Sequence, residues 1–518
     1  LYLTTDGFMT IPRINHVSGY SKSYVQNRQW NPFTPETYLY DTSHPDMHAA
    51  VFAPNDSTTV FIGCDGGVFK TTNIFKDSVV RWSSLNNGYN VGQFYSTAID
   101  PSGIRDGAVI GGAQDNNSNI GLRNGKPMEW VLGGDGMVCE MSAGHKAVYP
   151  SYQGGQVYRV RMNETLDSAL EWVNMRPRGG QFDFTAPLRL HPVSDSILYM
   201  IGGASLWVNW NATQRAYTND TTTSSQNWRS YPMSAYATGG LSAMGLCTSS
   251  PNTVYLGTKS GVVLKVDSLQ RTSAIVKTVT GTDMPKGAYV SNITVDPLDN
   301  ASVFVTFSNY EVLSVFHSTD AGSTWECISG NLEEKSNGLG AGPSCRWLEV
   351  LHFNGDTLYL LATSSGVFST HTLDAMNTVW EQFRAIPNVA CTMIDVRSTD
   401  GFVAVATHGL GMFTTYAIGG GNSSSVQSLD LTFSALGVYP QPATGSMTIR
   451  CRLQRDAELS FCIRDVSGRS LLTTPASWFS AGEQLIPVDV STLAQGWYSL
   501  ELRAPGRRSP VAIGFIKQ

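Results

Sequence analysis

Tryptophan recurs along this chain at an interval of about fifty residues. Trp30, Trp82, Trp130, Trp172, Trp228, Trp325 and Trp380 each sit on a short strand-like run before a loop, with one doubled interval where a marker is lost near "TSAIVKTVTG". A period of that length lies in the range of propeller blades. Each repeat reads as four short strands, as in "HAAVFAP", "TTVFIGC", "GVFKTTN" and "VVRWSSL". The second of these returns as "NTVYLGT", "DTLYLLAT" and "GFVAVATHG". One twisted four-stranded sheet cannot bury both of its faces alone, so neighbouring repeats must stack on it. The repeat predicts an all-β chain: a β-propeller of about 7–8 four-stranded blades, followed by a small C-terminal β-sandwich. Seven complete blades span about 46–385, with three-strand remnants at 1–33 and 388–418. Those remnants do not add up to one four-stranded blade. Either further blades precede Leu1, as in a two-propeller protein, or one remnant is not a blade piece.

Composition suits that architecture. Charged residues make up 15% of the 518 residues, against roughly 25% in an average soluble domain. Gly 50, Trp 12 and Tyr 21 supply turns and strand aromatics. A net charge of −6 and the lack of any basic run exclude a nucleic-acid binder. No apolar run reaches the roughly 18 residues of a spanning helix. The chain opens on "LYLTTDGF", which reads as mid-strand and carries no signal-peptide pattern, so upstream sequence is expected.

One repeat carries a motif in full. "STDAGSTW", with Ser318, Asp320, Gly322, Thr324 and Trp325, fits the pattern S-x-D-x-G-x-T-W. It resembles the Asp-box of bacterial sialidase, sortilin-type and xyloglucanase propellers. The resemblance implies that Asp320 and Thr324 tie a rim turn while Trp325 packs between blades. "GCDGGVFKTTN", "GGAQDNNSN" and "GGDGMVCEMS" are similar to segments of large Asp-box proteins exported by Bacteroidota. That likeness runs over roughly residues 40–415.

A Gly/Ser-rich stretch, 419–432, then separates the body, 1–418, from a tail, 433–518. The tail contains "VYPQPATGSMTI", "IRDVSGRSLL", "LAQGWYSLEL" and a terminal "IGFIKQ". It resembles the type IX secretion C-terminal sorting domain through Pro440 and Pro442, Asp465, Gly468 and Arg469, Leu493, Gly496 and Tyr498, and Lys517. Gln441 stands where Asn is commoner. The resemblance implies a small β-sandwich that directs its cargo from the periplasm through the outer membrane of a Bacteroidota cell, to the surface or the medium. The implied partners are the outer-membrane translocon, the shuttle that receives the tail and the sortase. An Asp-[Ser/Thr]-[apolar or Thr] pattern resembling Bacteroidota O-glycosylation sites occurs at Ser57, Ser78, Ser168, Ser196, Thr221, Ser268 and Thr357. The same dipeptides also favour turns.

Candidate chemistry is scattered along the body. Asp65 in "CDGGVF" resembles a segment that carries one catalytic carboxylate in xyloglucanases, but no second carboxylate segment is recognisable. Asp115 and Asn116 in "QDNN" and Asp135 in "GGDG" fall where inner strands meet loops. Such groups bind sugars or Ca²⁺, or serve as turn residues. In "HPDMH", a period of two places His44, Asp46 and His48 on one strand face, as metal ligands or as packed histidines. No other cofactor is indicated. Cys451 and Cys462 flank what reads as a hairpin turning near Asp456, in register for a disulfide or for two buried thiols. The expected body is a glycan- or protein-binding propeller; the alternative is a glycoside hydrolase of the two-propeller type.

Overall fold

The computed structural model describes residues 1–518 apart from 11–13, 22–30, 34–38, 41–42, 77–78, 104–106, 122–127, 144–146, 272, 384–385, 418–432, 441, 454–455, 466–468 and 504–510. Trp30, Ser78, Gln441, Gly468 and the stretch 419–432 lie outside the described residues. The chain divides into two compact units, Leu1–Gly419 and Gly420–Gln518.

Among the described residues of the larger unit, seven antiparallel sheets follow one another between Met47 and Gln382, six of four strands and one of five. A three-stranded sheet, Cys391–Arg397, Phe402–Thr407 and Met412–Tyr416, comes last. The chain starts with a two-stranded sheet, Tyr2–Thr4 with Ile14–His16, among the described residues.

A ring closes, and it does so without the leading sheet at 47–84. The inner strand of the last sheet, Cys391–Arg397, packs against Ala98–Ile99, the inner strand of the sheet at 98–132. The Ile99 N–H donates to Asp395 Oδ2 at 2.8 Å, and Arg397 Nη1 donates to the Asp100 carbonyl at 2.7 Å. Phe94 N–H donates to the Thr407 carbonyl at 2.8 Å, and Thr392 Oγ1 to the Phe94 carbonyl at 2.8 Å. The ring therefore has seven blades, starting at Ala98 and ending at Tyr416, with the C-terminal remnant as its seventh. The leading sheet stands apart from this closure. Its inner strand, Met47–Ala53, leaves Val51 61% and Phe52 49% exposed. The ring's inner strands are largely buried.

Second strands are buried on both faces. Val254–Thr258, Val303–Phe307 and Phe402–Thr407 have every residue buried. That is why they read as continuous apolar runs instead of alternating ones. Each such Val, Leu or Phe contributes roughly 1.5–3 kcal/mol of apolar burial.

The tryptophan repeat marks the seams. Trp82, Trp228, Trp325 and Trp380 each donate the indole N–H to a carbonyl of the preceding sheet: Val17, Met175, Val279 and Ile328, at 2.6–3.0 Å. Trp172 instead stacks on Phe33 at 4.2 Å, and the Trp130 indole nitrogen has no partner among the described residues. In the full Asp-box, Asp320 accepts from Ser318 Oγ at 2.9 Å, the Thr324 N–H at 2.7 Å and Thr324 Oγ1 at 2.7 Å.

The smaller unit is a two-sheet sandwich. One sheet joins Phe433–Tyr439, Ser446–Leu453 and Gly482–Asp489; the other joins Ser470–Thr473, Ala457–Asp465, Gly496–Arg503 and Val511–Lys517. Met447, Ile449 and Leu453 meet Leu459, Ile463, Leu500 and Phe515 between them. The expected hairpin at Cys451 and Cys462 is therefore wrong, because Ser446–Leu453 and Ala457–Asp465 belong to different sheets. Cys451 lies in the core, whereas Cys462 points the other way on its strand, beside Ser470 Oγ at 3.4 Å and Thr473 Oγ1 at 3.5 Å. Both thiols are free. Asp465 accepts from the Arg469 N–H and Nε, each at 3.1 Å, and Tyr498 OH donates to the Ala494 carbonyl at 2.8 Å. Pro440 follows a cis peptide bond, Leu493 N–H donates to the Val490 carbonyl at 3.1 Å, and Lys517 is 8% exposed. Among the described residues, no helix is long and apolar enough to cross a membrane.

Candidate functional site

Antiparallel blades place two kinds of loop at each end of the channel. The turns between second and third strands share one end with the connections that lead into each inner strand. The turns between third and fourth strands, including the Asp-box, lie at the other end. Asp65 and Asp115 occupy second-to-third-strand turns, and Asp135 lies in a connection before the inner strand Glu140–Met141.

The glycines around these aspartates are required by close backbone approach. A Cβ on Gly112 would sit 1.9 Å from the Met137 carbonyl oxygen, and one on Gly136 would sit 2.1 Å from the Asn117 carbonyl oxygen. The "GGAQDNN" and "GGDG" loops are thereby pressed together. Asp115 and Asn117 take positive φ, 56° and 71°, conformations that Asn and Asp tolerate better than most residues. Asn119 Nδ2 braces the turn by donating to the Asn116 carbonyl at 2.7 Å.

The result gathers sequence candidates that lie far apart in the chain. The Asp115 N–H donates to Asp135 Oδ1 at 3.1 Å, and the Asp135 N–H to Gln153 Oε1 at 3.0 Å. Burial pushes the Asp135 carboxyl up to about 6; the hydrogen bond and negative charge of Asp115 and the charge of Asp46 add to it. Asn116 Nδ2 donates to the Asp65 carbonyl at 2.9 Å, and the Asp65 carboxylate pairs with His48.

His44 Nε2 lies 2.9 Å from the Asp115 carbonyl oxygen, so it joins the cluster. It does not share a strand face with Asp46 and His48. The strand begins only at Met47, and Asp46 has φ of 58°, which breaks the period-two alternation. The three side chains therefore do not converge, and among the described residues no group of three His, Cys, Asp or Glu can hold a metal.

Beside the cluster, over the channel axis, opens a recess of about 500 Å³ lined by Tyr95, Tyr289, Asn292, Tyr310, Arg346 and Trp347. Tyr95 links the two features: its hydroxyl donates to Gln114 Oε1, next to Asp115. Tyr289 and Tyr310 are 40% and 59% exposed. These aromatics were not singled out in the sequence. The available signal was a Tyr or Trp at the entry to an inner strand, as in "GAYVSN" and "CRWLEV".

Deeper in, Arg189 bridges Glu140 Oε1 at 3.3 Å and Glu349 Oε1 at 3.5 Å, and lies 4.8 Å from the Trp347 ring. Trp347 Nε1 donates to Glu349 Oε1 at 2.8 Å. Burial pushes Glu140 and Glu349 up to about 7 and raises Asp395, even though Arg189 opposes it. A second cavity, of about 590 Å³, opens on the far side of this waist. Its charged groups were also missed, although each is an ionisable residue within an inner strand.

Residues 437–509 match the family model described as the secretion system C-terminal sorting domain. No curated protein matches the chain. Among solved structures, it is similar to the crystal structure of the Niastella koreensis GH74 enzyme, at 14% identity and a TM-score of 0.43, over 70% of this chain. The similar region spans 49% of that enzyme's length. The tail marks the chain as cargo of the type IX secretion system, carried across the outer membrane of a Bacteroidota cell.

Proposed function

We propose that the seven-bladed ring is a glycan-binding module, delivered to the cell surface or the medium by its tail, and that the recess under Tyr289 and Tyr310 is its binding face. The observation that carries this reading is the convergence of four aromatic side chains with Asn292 and Arg346 in one open recess of about 500 Å³. Aromatic faces take the apolar C–H faces of sugars, while a few fixed polar groups set orientation. We read residues 1–418 as the body, 419–432 as a linker and 433–518 as the part recognised by translocon, shuttle and sortase.

Retention of the full chain on immobilised polysaccharides tests the binding face. Tyr289→Ala and Tyr310→Ala each weaken retention, whereas Asp320→Ala, at the opposite end of the channel, does not. Unchanged retention in both tyrosine variants, or loss in the Asp320 variant, overturns the assignment.

A second reading, glycoside hydrolysis, draws on Asp135, whose carboxyl burial raises to about 6 and which accepts from the Asp115 N–H, since such chemistry uses a carboxyl raised toward neutral as its acid. Asp65 is the other candidate carboxylate. Release of oligosaccharides that stops in Asp135→Asn supports it; retention without products leaves a binding module.

A further inference from the structure

The two ends of the channel differ in charge. Among the described residues, the recess under Tyr289 and Tyr310 is lined by Arg189 and Arg346 and by no carboxylate. The cavity beyond the waist is lined by Glu140, Asp195, Glu349 and Asp395, with Arg189 and His191. Arg189 is committed to Glu140 and Glu349. Arg346 is not committed: it is half-buried and has no ion pair or hydrogen bond among the described residues. Its five N–H donors are therefore not used within the protein and are open to an acceptor in the recess.

A second unmet donor lies in the same lining. Asn292 is 1% exposed, and its amide nitrogen has no acceptor among the described residues. Its Oδ1 is already used, accepting from the Leu348 N–H at 3.1 Å and Thr294 Oγ1 at 3.0 Å. His408, on the neighbouring blade, feels the Arg346 charge, and burial first and that charge second hold its imidazole below the usual range. The carboxylates adjoining its lining are Glu140 and Glu349, already bonded to Arg189 and Trp347, Asp183, whose charge reaches Tyr289, and Asp115 and Asp135, whose charges reach Tyr95. The recess thus offers an uncommitted guanidinium and an unmet amide N–H on its Arg346 side, with stacking faces around them.

We propose that this recess selects glycans that carry a carboxylate, uronate-type sugars, with Arg346 as the group that pairs with it and Asn292 as a neutral donor beside it. The inference rests on the glycan-binding reading above. A planar guanidinium meets a carboxylate through two parallel N–H···O bonds, which a neutral hydroxymethyl group cannot reproduce.

The test uses the full chain with polygalacturonate, alginate and hyaluronan, each beside its carboxyl-reduced neutral counterpart. At least one acidic polymer binds, and reduction of its carboxyls weakens binding by about 10- to 100-fold. Arg346→Gln lowers binding of the acidic polymer to the level of its reduced form; Arg346→Lys keeps charge but loses the fork and falls between. Melting curves establish that both variants fold. Equal binding of acidic and reduced polymers, or an acid preference that survives Arg346→Gln, overturns the carboxylate assignment and leaves the glycan reading standing. Failure of every acidic and neutral polymer to bind overturns both.

Discussion

Trp380 donates its indole N–H to the carbonyl oxygen of Ile328 at 2.8 Å, across the boundary between two blades of the ring. It is 2% exposed and packs against Leu332, Leu348 and Leu361. The bond closes a seam where two sheets meet face to face and neither supplies a strand partner to the other.

Trp380→Phe keeps much of the packing and orphans the Ile328 carbonyl. It is expected to destabilise the body by about 1–3 kcal/mol. Trp380→Ala also opens a cavity and costs about 3–5 kcal/mol. Denaturant midpoints of the two variants measure the difference. An alanine variant no less stable than the phenylalanine variant would refute the packing account.

The waist of the channel makes stability depend on pH. Glu140 and Glu349 titrate near 7 when folded, against about 4.3 in an unfolded chain. Between those values the native state holds more protons, so the free energy of unfolding falls as pH rises from about 4.5 to 7 and then levels. A tenfold difference in proton affinity between the folded and unfolded chain corresponds to about 1.4 kcal/mol. The double variant Glu140→Gln, Glu349→Gln flattens this slope across its range up to about 7, and Asp135→Asn, acting on a group near 6, flattens only its part below about 6. Denaturation midpoints from pH 4.5 to 8 record it. An unchanged slope in all variants shows that these groups are not the source.

The two tail thiols behave differently from a linked pair. Reductant leaves the melting of the tail unchanged. Cys451→Ser places a hydroxyl in the apolar core and destabilises more than Cys462→Ser, whose position already faces Ser470 and Thr473. A peptide map under non-reducing conditions that joins Cys451 to Cys462 would contradict the two-sheet placement.

Removal of residues 433–518 takes away both sheets of the sandwich. The truncated protein is expected to accumulate in the periplasm while its body stays folded. Fractionation of cells that express the native and truncated forms decides this. Export of the truncated form at the native level would sink the address role of the tail.

The sequence by itself determined the all-β class, the blade period, the seven complete sheets and the sorting tail. Each of these rests on local chemistry repeated along the chain. Second strands buried on both faces must be apolar throughout, and tryptophans close the seams of several blades, so the period survives in the residue order. Tertiary structure decided what depends on partners distant in sequence. Ring closure between Ala98–Ile99 and Cys391–Arg397 left the sheet at 47–84 outside, because strand pattern says which face is apolar but not which sheet covers it. A left-handed Asp46 turned His44 and His48 apart, where alternation alone placed them together. The cluster of Asp65, Asp115 and Asp135 was legible only as separate turn residues; contact between two glycine-lined loops made it one site. Arg189, Glu140, Glu349 and Asp395 stayed hidden because they come from four different inner strands. Charges spread over four strands converge only where a closed ring gives those strands a common axis.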